Sequence, residues 1–333
     1  MTLDHALEKI LNQHYPAQIT HFNLLASGWE SDIYSVDVKS NGVTTGWALR
    51  YFAPGRTVEE AQKEWKVLSQ LAELGYPVPQ VWQVPPTDRI DGRLFLLMQR
   101  IDGYPLWSSL KTAEDYRAAL PVVARLMRDL HSIKPEEFDI GGELPSSSRQ
   151  GIRMMLAEWR QKTVGSPASA AFEPVFDWFE SHVEKINDMP LALVHFDLHP
   201  QNVMVEKATG KHYVIDWTGA SFNDPRMDVF WAALLLGHQT ALPLFDLMIQ
   251  SYEEVTGKQL TDRPFFEAVV CIRRIATLML TMTGGSESVG MLENVSKNIG
   301  RQIPILRKIY ERWLRATDEL HIGAIEEFFD HFA

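Results

Sequence analysis

Three oxygen-bearing side chains are spaced in a way that could place them around one metal ion. Asp197, Asn202 and Asp216 lie in the segment VHFDLHPQNVMVEKATGKHYVIDW, residues 194–217. A carboxylate at the end of an apolar strand is costly unless something pairs with it. Amide and carboxylate oxygens are ligands that Mg²⁺ accepts, and water and substrate phosphates complete its shell. The segment therefore predicts a hard divalent cation as the partner.

A β-hairpin is expected to bring two of these side chains together. VMVEK and HYVID flank the turn-forming ATGK, so the tip is predicted near Thr209, seven residues after Asn202 and seven before Asp216. Strands paired in register would return both side chains to one end. Asp197 lies five residues upstream of Asn202, where a carboxylate beside a metal-bound polyphosphate can accept a proton from an attacking hydroxyl. Each residue alone would more often close a turn, but the joint pattern favours a phosphoryl-transfer centre.

Composition limits the classes of protein that this chain can belong to. It has 333 residues, of which 45% are hydrophobic, enough to bury a large core in two domains or lobes. The formal net charge of -11 argues against nucleic-acid binding, because contacts with the phosphate backbone need a basic surface. An acidic surface would suit a cationic substrate, although solubility alone explains it.

The cellular compartment of the protein is inferred from its single cysteine and from the length of its apolar stretches. Cys271 lies in the helical pattern AVVCIRRIATLMLTM and is predicted to be an inert core residue in a reducing compartment. The opening MTLDHALEKILNQH has no continuous apolar stretch of the kind a secretory signal needs, and runs such as VFWAALLLG are too short to span a bilayer. A cytoplasmic protein with no membrane partner is expected.

The first hundred residues are predicted to form mainly strands. After an amphipathic helix over roughly 3–12, residues 20–52 alternate in the manner of strands and are interrupted by SG and NG, which is typical of an antiparallel meander. VEEAQKEWKVLSQLAELG has helical spacing and ends at Gly75, a plausible C-cap. Strands are predicted at VWQV and RLFLLMQRI.

From about Gly103 the pattern changes to long helices, with the segment 194–217 as the β-like exception. The predicted helices are DYRAALPVVARLMRDLHSI, IRMMLAEWRQKTV, FEPVFDWFESHVEKIN, DVFWAALLLGHQT, PLFDLMIQSYEEVTG, PFFEAVVCIRRIATLMLTM and QIPILRKIYERWLRATDEL. The simplest partition is an N-terminal nucleotide-binding lobe, residues 1–100, and a C-terminal catalytic and substrate-binding lobe, residues 101–333.

The motifs resemble a known enzyme family. HFDLHPQN, VIDW and NDPRMD are similar to the catalytic segment of the aminoglycoside phosphotransferase and choline kinase family, small-molecule relatives of protein kinases, and LHSI and PVPQV also recur there. The resemblance covers about residues 20–235 and fades in the C-terminal helices, which build the acceptor pocket in such enzymes. It implies an α+β, bilobal protein-kinase-like fold, with a small antiparallel sheet and one main helix in the first lobe and a large, mostly helical second lobe.

The resemblance also implies roles by matched position. Asp197 resembles the catalytic base, and Asn202 and Asp216 resemble the ligands of Mg²⁺. His195 resembles the residue that braces the catalytic loop through hydrogen bonds. Asp228, in NDPRMD, is similar to an aspartate that accepts backbone N–H bonds from that loop.

The phosphates of a nucleotide are expected at the turn between the first two strands. LLASGWESDIYSV carries only Gly28 and lacks the G-x-G-x-x-G pattern. Backbone N–H groups near Ser27 to Ser31, with the hydroxyls of these two serines, could hold phosphate oxygens. An ordinary hairpin turn fits this segment equally well.

A basic residue on the following strand and the strand into the hinge complete the expected nucleotide site. Arg50 stands where the family carries a phosphate-binding lysine, and arginine is not an equivalent replacement. Glu64, fourteen residues later, matches the glutamate that pairs with that basic residue. In FLLMQRIDG, the main-chain groups of Gln99 and Ile101 are expected to hold the base, with Met98 against its edge. Because main-chain contacts leave little trace in a sequence, either ATP or GTP could be the phosphate donor.

The leading hypothesis is a Mg²⁺-dependent kinase that transfers the γ-phosphate of ATP or GTP to a hydroxyl of an aminoglycoside-, choline- or sugar-like molecule. The alternative is a nucleotide-binding pseudokinase or regulatory module. A protein kinase is disfavoured because Asp228 follows Asp216 by only twelve positions, which leaves no room for a long activation loop.

The sequence leaves three roles open for His199. It could orient the loop, contact the acceptor, or be a solvated histidine without a role in the site. The sequence does not indicate the oligomeric state.

Overall fold

The computed structural model describes residues 1–28, 30–82, 87–163, 169–237, 243–284 and 302–331, and the contacts within the chain divide it into two units. The first unit contains Met1–Pro105, Val203–Thr218 and residues 279–284. The second contains Leu106–Asn202, Gly219–Leu278 and residues 302–331. The hairpin predicted around residue 209 thus groups with the N-terminal strands. A lobe boundary at residue 100 stays a prediction.

A five-stranded antiparallel sheet forms the framework of the first unit. Its order is β1-β2-β3-β5-β4. The strands are β1 (Gln18–Ser27), β2 (Ser31–Ser40), β3 (Val43–Phe52), β4 (Arg89–Ile90) and β5 (Arg93–Gln99). Asn41 and Gly42, between β2 and β3, both have positive φ, the conformation that Asn-Gly favours in a two-residue hairpin turn. The meander predicted for residues 20–52 is therefore confirmed.

Two helices belong to this unit. Helix α1 (Leu3–Leu11) packs Leu7 and Leu11 into the apolar cluster of the sheet, which includes Val36 and Leu49. Helix α2 (Val58–Glu73) begins with a capping box between Thr57 and Glu60 and ends before Gly75, whose φ is +77°. Glu64 lies on the buried face of α2, so this helix determines where that carboxylate is held.

A second, three-stranded sheet of the first unit has the order β6-β8-β9. It consists of β6 (Gly103–Pro105), β8 (Val203–Glu206) and β9 (His212–Val214). In the predicted hairpin Val203 pairs with Val214, so the start of β8 lies opposite the end of β9. Along the chain, Asn202 directly precedes β8 and Asp216 follows β9 by two residues. The pairing confirms the predicted hairpin and brings both residues to one of its ends, but the register differs by one residue from symmetry about Thr209, which would place Val203 opposite Ile215.

A substitution at Gly103 tests this sheet. A Cβ atom at Gly103 would overlap the Val205 carbonyl oxygen and lie 2.9 Å from its carbonyl carbon. Because backbone atoms must move to make room, Gly103→Ala is expected to lower the free energy of unfolding by about 1–3 kcal/mol. At Gly323, where nothing lies within 4 Å of such an atom, the same substitution should be close to neutral. Urea denaturation of both variants measures the difference, and equal stabilities would contradict the close approach of β6 to β8.

The second unit is largely helical. Its helices are α3 (Ala113–His131), α4 (Ser148–Thr163), α5 (Ser169–Val183), α6 (Arg226–Gly237), α7 (Leu244–Thr256), α8 (Arg263–Gly284), α9 (Ile303–Ala316) and α10 (Gly323–His331), and the last residues of α8 group with the first unit. Strands β7 (Ala192–Val194) and β10 (Ser221–Asn223) form an antiparallel pair on either side of the Asp197 loop and the β8–β9 hairpin in the chain. Ten of the 12 residues of α6 are buried, so the polar side chains on this helix point into the protein.

Several local predictions need comment. The strand predicted at VWQV is wrong where it is described, because Val81 makes only an isolated bridge to Met98 and Trp82 is in no strand. Residues 83–84 of that strand and 238–240 of the helix predicted after Asp228 lie outside the described residues. Cys271 is buried, and burial raises the pKa of its thiol, as expected of an inert core residue. Over the described part of the chain, no helix is both long and apolar enough to cross a bilayer.

Candidate active site

Asp197 lies in the loop between β7 and β8, and both oxygens of its carboxylate accept hydrogen bonds. The indole N–H of Trp231, on α6, donates to Oδ1 at 2.6 Å. The side-chain amide of Asn202 donates to Oδ2 at 2.8 Å and to the Asp197 carbonyl at 2.9 Å. The side chain is 38% exposed, and each carboxylate oxygen can accept more than one hydrogen bond. A hydroxyl from solution can therefore still approach the carboxylate.

Neighbouring groups favour the ionised form of Asp197. Burial alone would raise its pKa, but the neighbouring His199, the Trp231 N–H and the charge of Arg273 together lower the pKa well below its usual range. The Nε2 atom of His199 lies 3.6 Å from Oδ1. A carboxylate with so low a pKa is charged at neutral pH and is a weak base. Its main contribution would be to orient a hydroxyl and to accept the proton late.

Asp228 anchors the same loop from behind. Its carboxylate accepts the backbone N–H of His195 at 2.9 Å and that of Phe196 at 2.6 Å. His131, at the end of α3, lies 3.0 Å from the same carboxylate and 2.9 Å from the Tyr252 hydroxyl. Asp228 is fully buried, so these partners offset the cost of burying its charge. This is the contact that the family resemblance implies for Asp228, while its part in catalysis stays a prediction.

The residue before Asp197 is held in an uncommon backbone conformation. Phe196 has a φ of +65°, which is rare for a bulky side chain and costs on the order of 1–2 kcal/mol. Two contacts hold this turn in place. The Nδ1 atom of His195 accepts the Asp197 N–H at 3.2 Å, and Arg273, on α8, donates to the Phe196 carbonyl at 2.7 Å. The strained turn thus presents Asp197 at a fixed angle.

In the first unit, Arg50 joins two carboxylates. Its Nη1 donates to Glu64 at 2.8 Å and its Nη2 donates to Asp216 at 2.9 Å. The side chains of Arg50 and Glu64 are 5% and 1% exposed, whereas that of Asp216 is 38% exposed. Burial disfavours the charge of Arg50, but Asp216, Glu64 and Glu30 outweigh it and raise the pKa of the guanidinium. Burial likewise raises the pKa of Glu64, and Arg50 opposes that shift.

Asp216 also has a left-handed backbone, with a φ of +69°. Its Oδ1 accepts from Arg50 and, at 3.4 Å, from the Thr218 hydroxyl. Non-glycine residues in this conformation often lie at functional positions, where surrounding contacts hold the strain. Here the ion pair to Arg50 and the Thr218 hydroxyl hold the carboxylate by its Oδ1.

Two charged residues of this cluster were not predicted. Glu30 has an oxygen 4.0 Å from Arg50 and 3.8 Å from Arg56, and it is linked to the sheet through its carbonyl, which accepts the Ala53 N–H at 2.8 Å. Burial and then the charge of Asp216 raise the pKa of Glu30, while the two arginines lower it. Glu30 lies in the segment predicted to hold phosphate but was given no role, and only the short distance along the chain from Arg50 could have suggested Arg56.

The loop predicted to hold phosphate forms a closed turn. The Gly28 N–H donates to the Ser31 carbonyl at 2.9 Å, and the Ser27 hydroxyl donates to Asp32 at 2.7 Å. Ser31 is buried, and Trp29 lies outside the described residues. The groups at Ser27 and Gly28 are thus engaged within the turn, and a phosphate would have to replace these bonds.

The residues predicted to bind the base lie at the end of β5, and the backbone N–H of one of them is already used within the protein. Met98 is 9% exposed and pairs with Ala48. The Gln99 N–H already donates to the Gln80 carbonyl at 2.7 Å, and the Gln99 side chain accepts the Gln80 N–H at 3.3 Å. Gln99 can therefore offer its carbonyl to a base, and Ile101, two residues after the strand, could supply an N–H.

The residues predicted as metal ligands retain suitable atoms. Asn202 directs its amide nitrogen to Asp197, which leaves its oxygen for a cation. Asp216 directs Oδ1 to Arg50, which leaves Oδ2. Within the described residues no group of three or more His, Cys, Asp or Glu side chains is placed to hold a metal. One or two protein oxygens suit Mg²⁺, which keeps waters and binds substrate phosphates, so the donor set fits this ion.

Curated relatives share part of their length with this chain. Acyl-CoA dehydrogenase family member 11 of Rattus norvegicus is 23% identical over 282 residues, which are 74% of this chain and 35% of the relative. Acyl-CoA dehydrogenase family member 10 of Mus musculus is 24% identical over 191 residues, 55% of this chain and 17% of the relative. The chain thus spans about a third or less of the length of these relatives.

Solved structures match nearly the whole chain. A Ralstonia eutropha protein assigned by inference to the aminoglycoside phosphotransferases has a TM-score of 0.65 at 18% identity, covering 94% of this chain and 98% of that one. Aminoglycoside phosphotransferase APH(4)-Ia has a TM-score of 0.61 at 17% identity, covering 95% and 99%. Macrolide 2′-phosphotransferase MphH of Brachybacterium faecium has a TM-score of 0.57 at 19% identity, covering 86% and 97%. These likenesses confirm the predicted α+β, kinase-like fold class.

The family assignment rests on a match over more than half of the sequence. The sequence model of the phosphotransferase enzyme family covers residues 21–264, a range that includes the loop at Asp197 and the cluster around Arg50. The chain belongs to the phosphotransferase enzyme family.

Proposed function

We propose that this protein is a Mg²⁺-dependent kinase that transfers the γ-phosphate of ATP or GTP to a hydroxyl group of a small molecule. The observation that carries the proposal is the state of Asp197. It is charged, oriented by Trp231 and Asn202, and 38% exposed. A carboxylate held in this way can accept a hydrogen bond from an incoming hydroxyl, as phosphoryl transfer requires.

The metal would be held by Asn202 Oδ1 and Asp216 Oδ2. Mg²⁺ bound there would offset the charge of the phosphate oxygens. Arg50 would contribute by fixing Asp216, because its guanidinium joins that carboxylate to the buried Glu64. Asn202 would contribute twice, since its amide nitrogen also orients Asp197. Removing either ligand should therefore raise the Mg²⁺ concentration that is needed for activity.

The chain's own groups then carry out the transfer. Asp197 accepts a hydrogen bond from the acceptor hydroxyl and directs its oxygen at the γ-phosphorus. The new O–P bond forms while the bond from the γ-phosphorus to the β–γ bridging oxygen breaks, and the nucleoside diphosphate leaves with that electron pair. The proton of the hydroxyl passes to Asp197 late in the step, in keeping with its low pKa. The anchors at Asp228 and His195 would hold the loop still during the reaction.

Known relatives support the classes of co-substrate and acceptor. A thermostable mutant of APH(4)-Ia was solved as a ternary complex with ADP and hygromycin B. We propose that a nucleotide base binds at the Gln99 carbonyl and the Ile101 N–H beside Met98, with its phosphates toward the turn at Ser27, Gly28 and Ser31. We also propose that the chain forms two lobes, residues 1–100 and 101–333, and that the protein is cytoplasmic.

A pseudokinase is the second candidate, and two observations favour it. Arg50 replaces the lysine that the family resemblance implies, and the turn at Gly28 is closed by its own hydrogen bonds. A pseudokinase would bind the nucleotide but would not consume it in response to any acceptor. The intact set of Asp197, Asn202 and Asp216 favours the kinase.

Calorimetric titration with Mg·ATP and Mg·GTP, followed by assays of diphosphate release, tests the proposal. We expect binding of at least one nucleotide that is lost in EDTA, and diphosphate release that rises when alcohols, amino alcohols, aminoglycosides or hydroxy acids are added. Binding without acceptor-dependent release would favour the pseudokinase. No binding of either nucleotide would contradict both.

A further inference from the structure

Two guanidinium groups of the first unit lie beside the same buried ring. The guanidinium carbons of Arg50 and Arg56 are 5.4 and 5.2 Å from the ring centre of Phe52, whose side chain is fully buried. Phe52 ends β3, and Arg56 lies between this strand and α2. Packing on one ring thus keeps a second positive charge near Arg50, the position where the family resemblance implies a phosphate-binding residue.

One carboxylate oxygen faces both guanidinium groups. Oε2 of Glu30 lies 4.0 Å from Nη2 of Arg50 and 3.8 Å from Nη1 of Arg56, which is too far for a hydrogen bond to either. The side chain of Glu30 is 37% exposed, yet Oε2 itself is buried and has no hydrogen-bond donor among the described residues. A buried carboxylate oxygen without a donor is costly. Charge attracts Glu30 to this place, but the place does not satisfy its hydrogen bonds.

Two donors of the same cluster lack acceptors. Nε of Arg50 and Nε of Arg56 are both buried, and neither has a hydrogen-bond partner in the described part of the chain. Arg56 also approaches Glu60 and Glu64, but only at 3.7 and 3.9 Å. Buried polar groups are nearly always paired in native proteins, and guanidinium groups bind phosphate oxygens well. The unpaired atoms on both sides of this contact indicate that a different anion belongs opposite the two arginines.

The side chain of Glu30 can leave while its turn stays closed. The Glu30 carbonyl accepts the Ala53 N–H at 2.8 Å. Across the same turn, the Gly28 N–H donates to the Ser31 carbonyl at 2.9 Å. These bonds fix the main chain, and rotation about the side-chain torsions of Glu30 is enough to move its carboxylate into solvent. A phosphate bound at the arginines would therefore not have to open the turn.

The local charges favour such an exchange. Four carboxylates surround the two guanidinium groups, an excess of two negative charges, and they belong to Glu30, Glu60, Glu64 and Asp216. A polyphosphate that approaches this cluster is repelled, and more strongly than in water because the setting is partly buried. Withdrawal of Glu30 removes one negative charge at the point where a phosphate would bind.

We propose that Arg56, together with Arg50, binds phosphate oxygens of the nucleotide, and that Glu30 occupies this place in the free protein and is displaced when the nucleotide binds. The proposal rests on the proposed kinase function and adds to it one binding residue and one competing group. No covalent bond is made or broken in the exchange, since a phosphate oxygen takes the place of a carboxylate oxygen. Arg56 should thus raise the affinity for the nucleotide, and Glu30 should lower it.

Glu30→Gln tests the competing group. Calorimetric titrations with Mg·ATP, Mg·ADP and AMP are compared, with guanine nucleotides in their place if Mg·GTP is the one that binds. Loss of the charge should lower Kd for Mg·ATP by about 3–10-fold, and the change should shrink as phosphates are removed, so that AMP is nearly unaffected. The matched control is Glu73→Gln, at the exposed last residue of α2, which should change none of the three.

Arg56→Gln tests the binding residue and should act in the opposite direction. Loss of the guanidinium should raise Kd for Mg·ATP by about 10-fold or more and should hardly change Kd for AMP. Arg56→Lys should lie between, because it keeps the charge without the planar fork. Arg128→Gln, on the exposed surface of α3, is the control. Thermal unfolding shows whether each variant is folded, and Arg56→Lys alone serves if Arg56→Gln does not fold.

A merely structural ion pair predicts a different result. Both substitutions would then change the unfolding temperature and leave the ratio of the Kd values for Mg·ATP and AMP as it is. That result, or weaker binding of Mg·ATP by Glu30→Gln, overturns the proposal but leaves the kinase function standing. Failure of both Mg·ATP and Mg·GTP to bind the unmodified protein would instead contradict the kinase function itself.

Discussion

Asp197→Asn is expected to lower kcat for acceptor-dependent diphosphate release by about 10²–10⁴-fold, the usual contribution of a positioned general base. The affinity for Mg·ATP should change by no more than about 3-fold, because the carboxylate is proposed to contact the acceptor and not the nucleotide. A modest loss of stability is also expected. The new amide would place an N–H₂ group against the N–H donors of Trp231 or Asn202, a clash that the carboxylate avoids.

The matched control is Asp129→Asn on α3, where the side chain is 53% exposed and pairs with the neighbouring Arg128. It should keep full activity. Steady-state kinetics, nucleotide titration and thermal unfolding on all three proteins separate catalysis from binding and from folding. If Asp197→Asn turned over within a few-fold of the unmodified protein, Asp197 would not be the base, and the proposed kinase mechanism would be wrong.

The hairpin that follows Asp197 was predictable because its signals are local. A turn at ATGK between two apolar stretches is sufficient to predict the hairpin, and the observed register places Val203 opposite Val214. That register brings Asn202, directly before β8, and Asp216, two residues after β9, to the same end of the hairpin. Fold class was predictable for a related reason, since the change from alternating to helical patterns near Gly103 marks the change from sheet to helices.

What the sequence did not reveal depends on distant contacts. Trp231 lies 34 residues from Asp197 and donates to it, yet in the sequence it is one more apolar residue of a buried helix. Arg273 lies 77 residues from Phe196 and was passed over within a core pattern. The pair of arginines in that pattern was the available signal, because charged residues are rarely buried without partners. His131 lies in LHSI, which resembles the family, but nothing in the sequence indicates its contact with Asp228.

Arg50→Met is expected to lower the free energy of unfolding by about 3–5 kcal/mol, the cost of removing one partner from a buried ion pair. Glu64 is 1% exposed and would keep its charge without the bond from Arg50, or would have to take up a proton. The double variant Arg50→Met/Glu64→Leu should recover most of this loss, because it removes both charges. Urea denaturation of the two variants measures the difference, and equal stabilities would show that Glu64 does not depend on Arg50.

Arg50→Lys separates the charge of this residue from its shape. A lysine supplies a compact ammonium, whereas the planar guanidinium reaches Glu64 with one nitrogen and Asp216 with another. The lysine variant should therefore be much more stable than Arg50→Met, because Glu64 keeps a cation. If Arg50 also fixes the metal-binding carboxylate, the lysine should bond to one partner at a time, and the Mg²⁺ concentration for half-maximal activity should rise several-fold. A variant with unchanged Mg²⁺ dependence would mean that Asp216 is held without the arginine fork, and that arginine at this position serves only to neutralise Glu64.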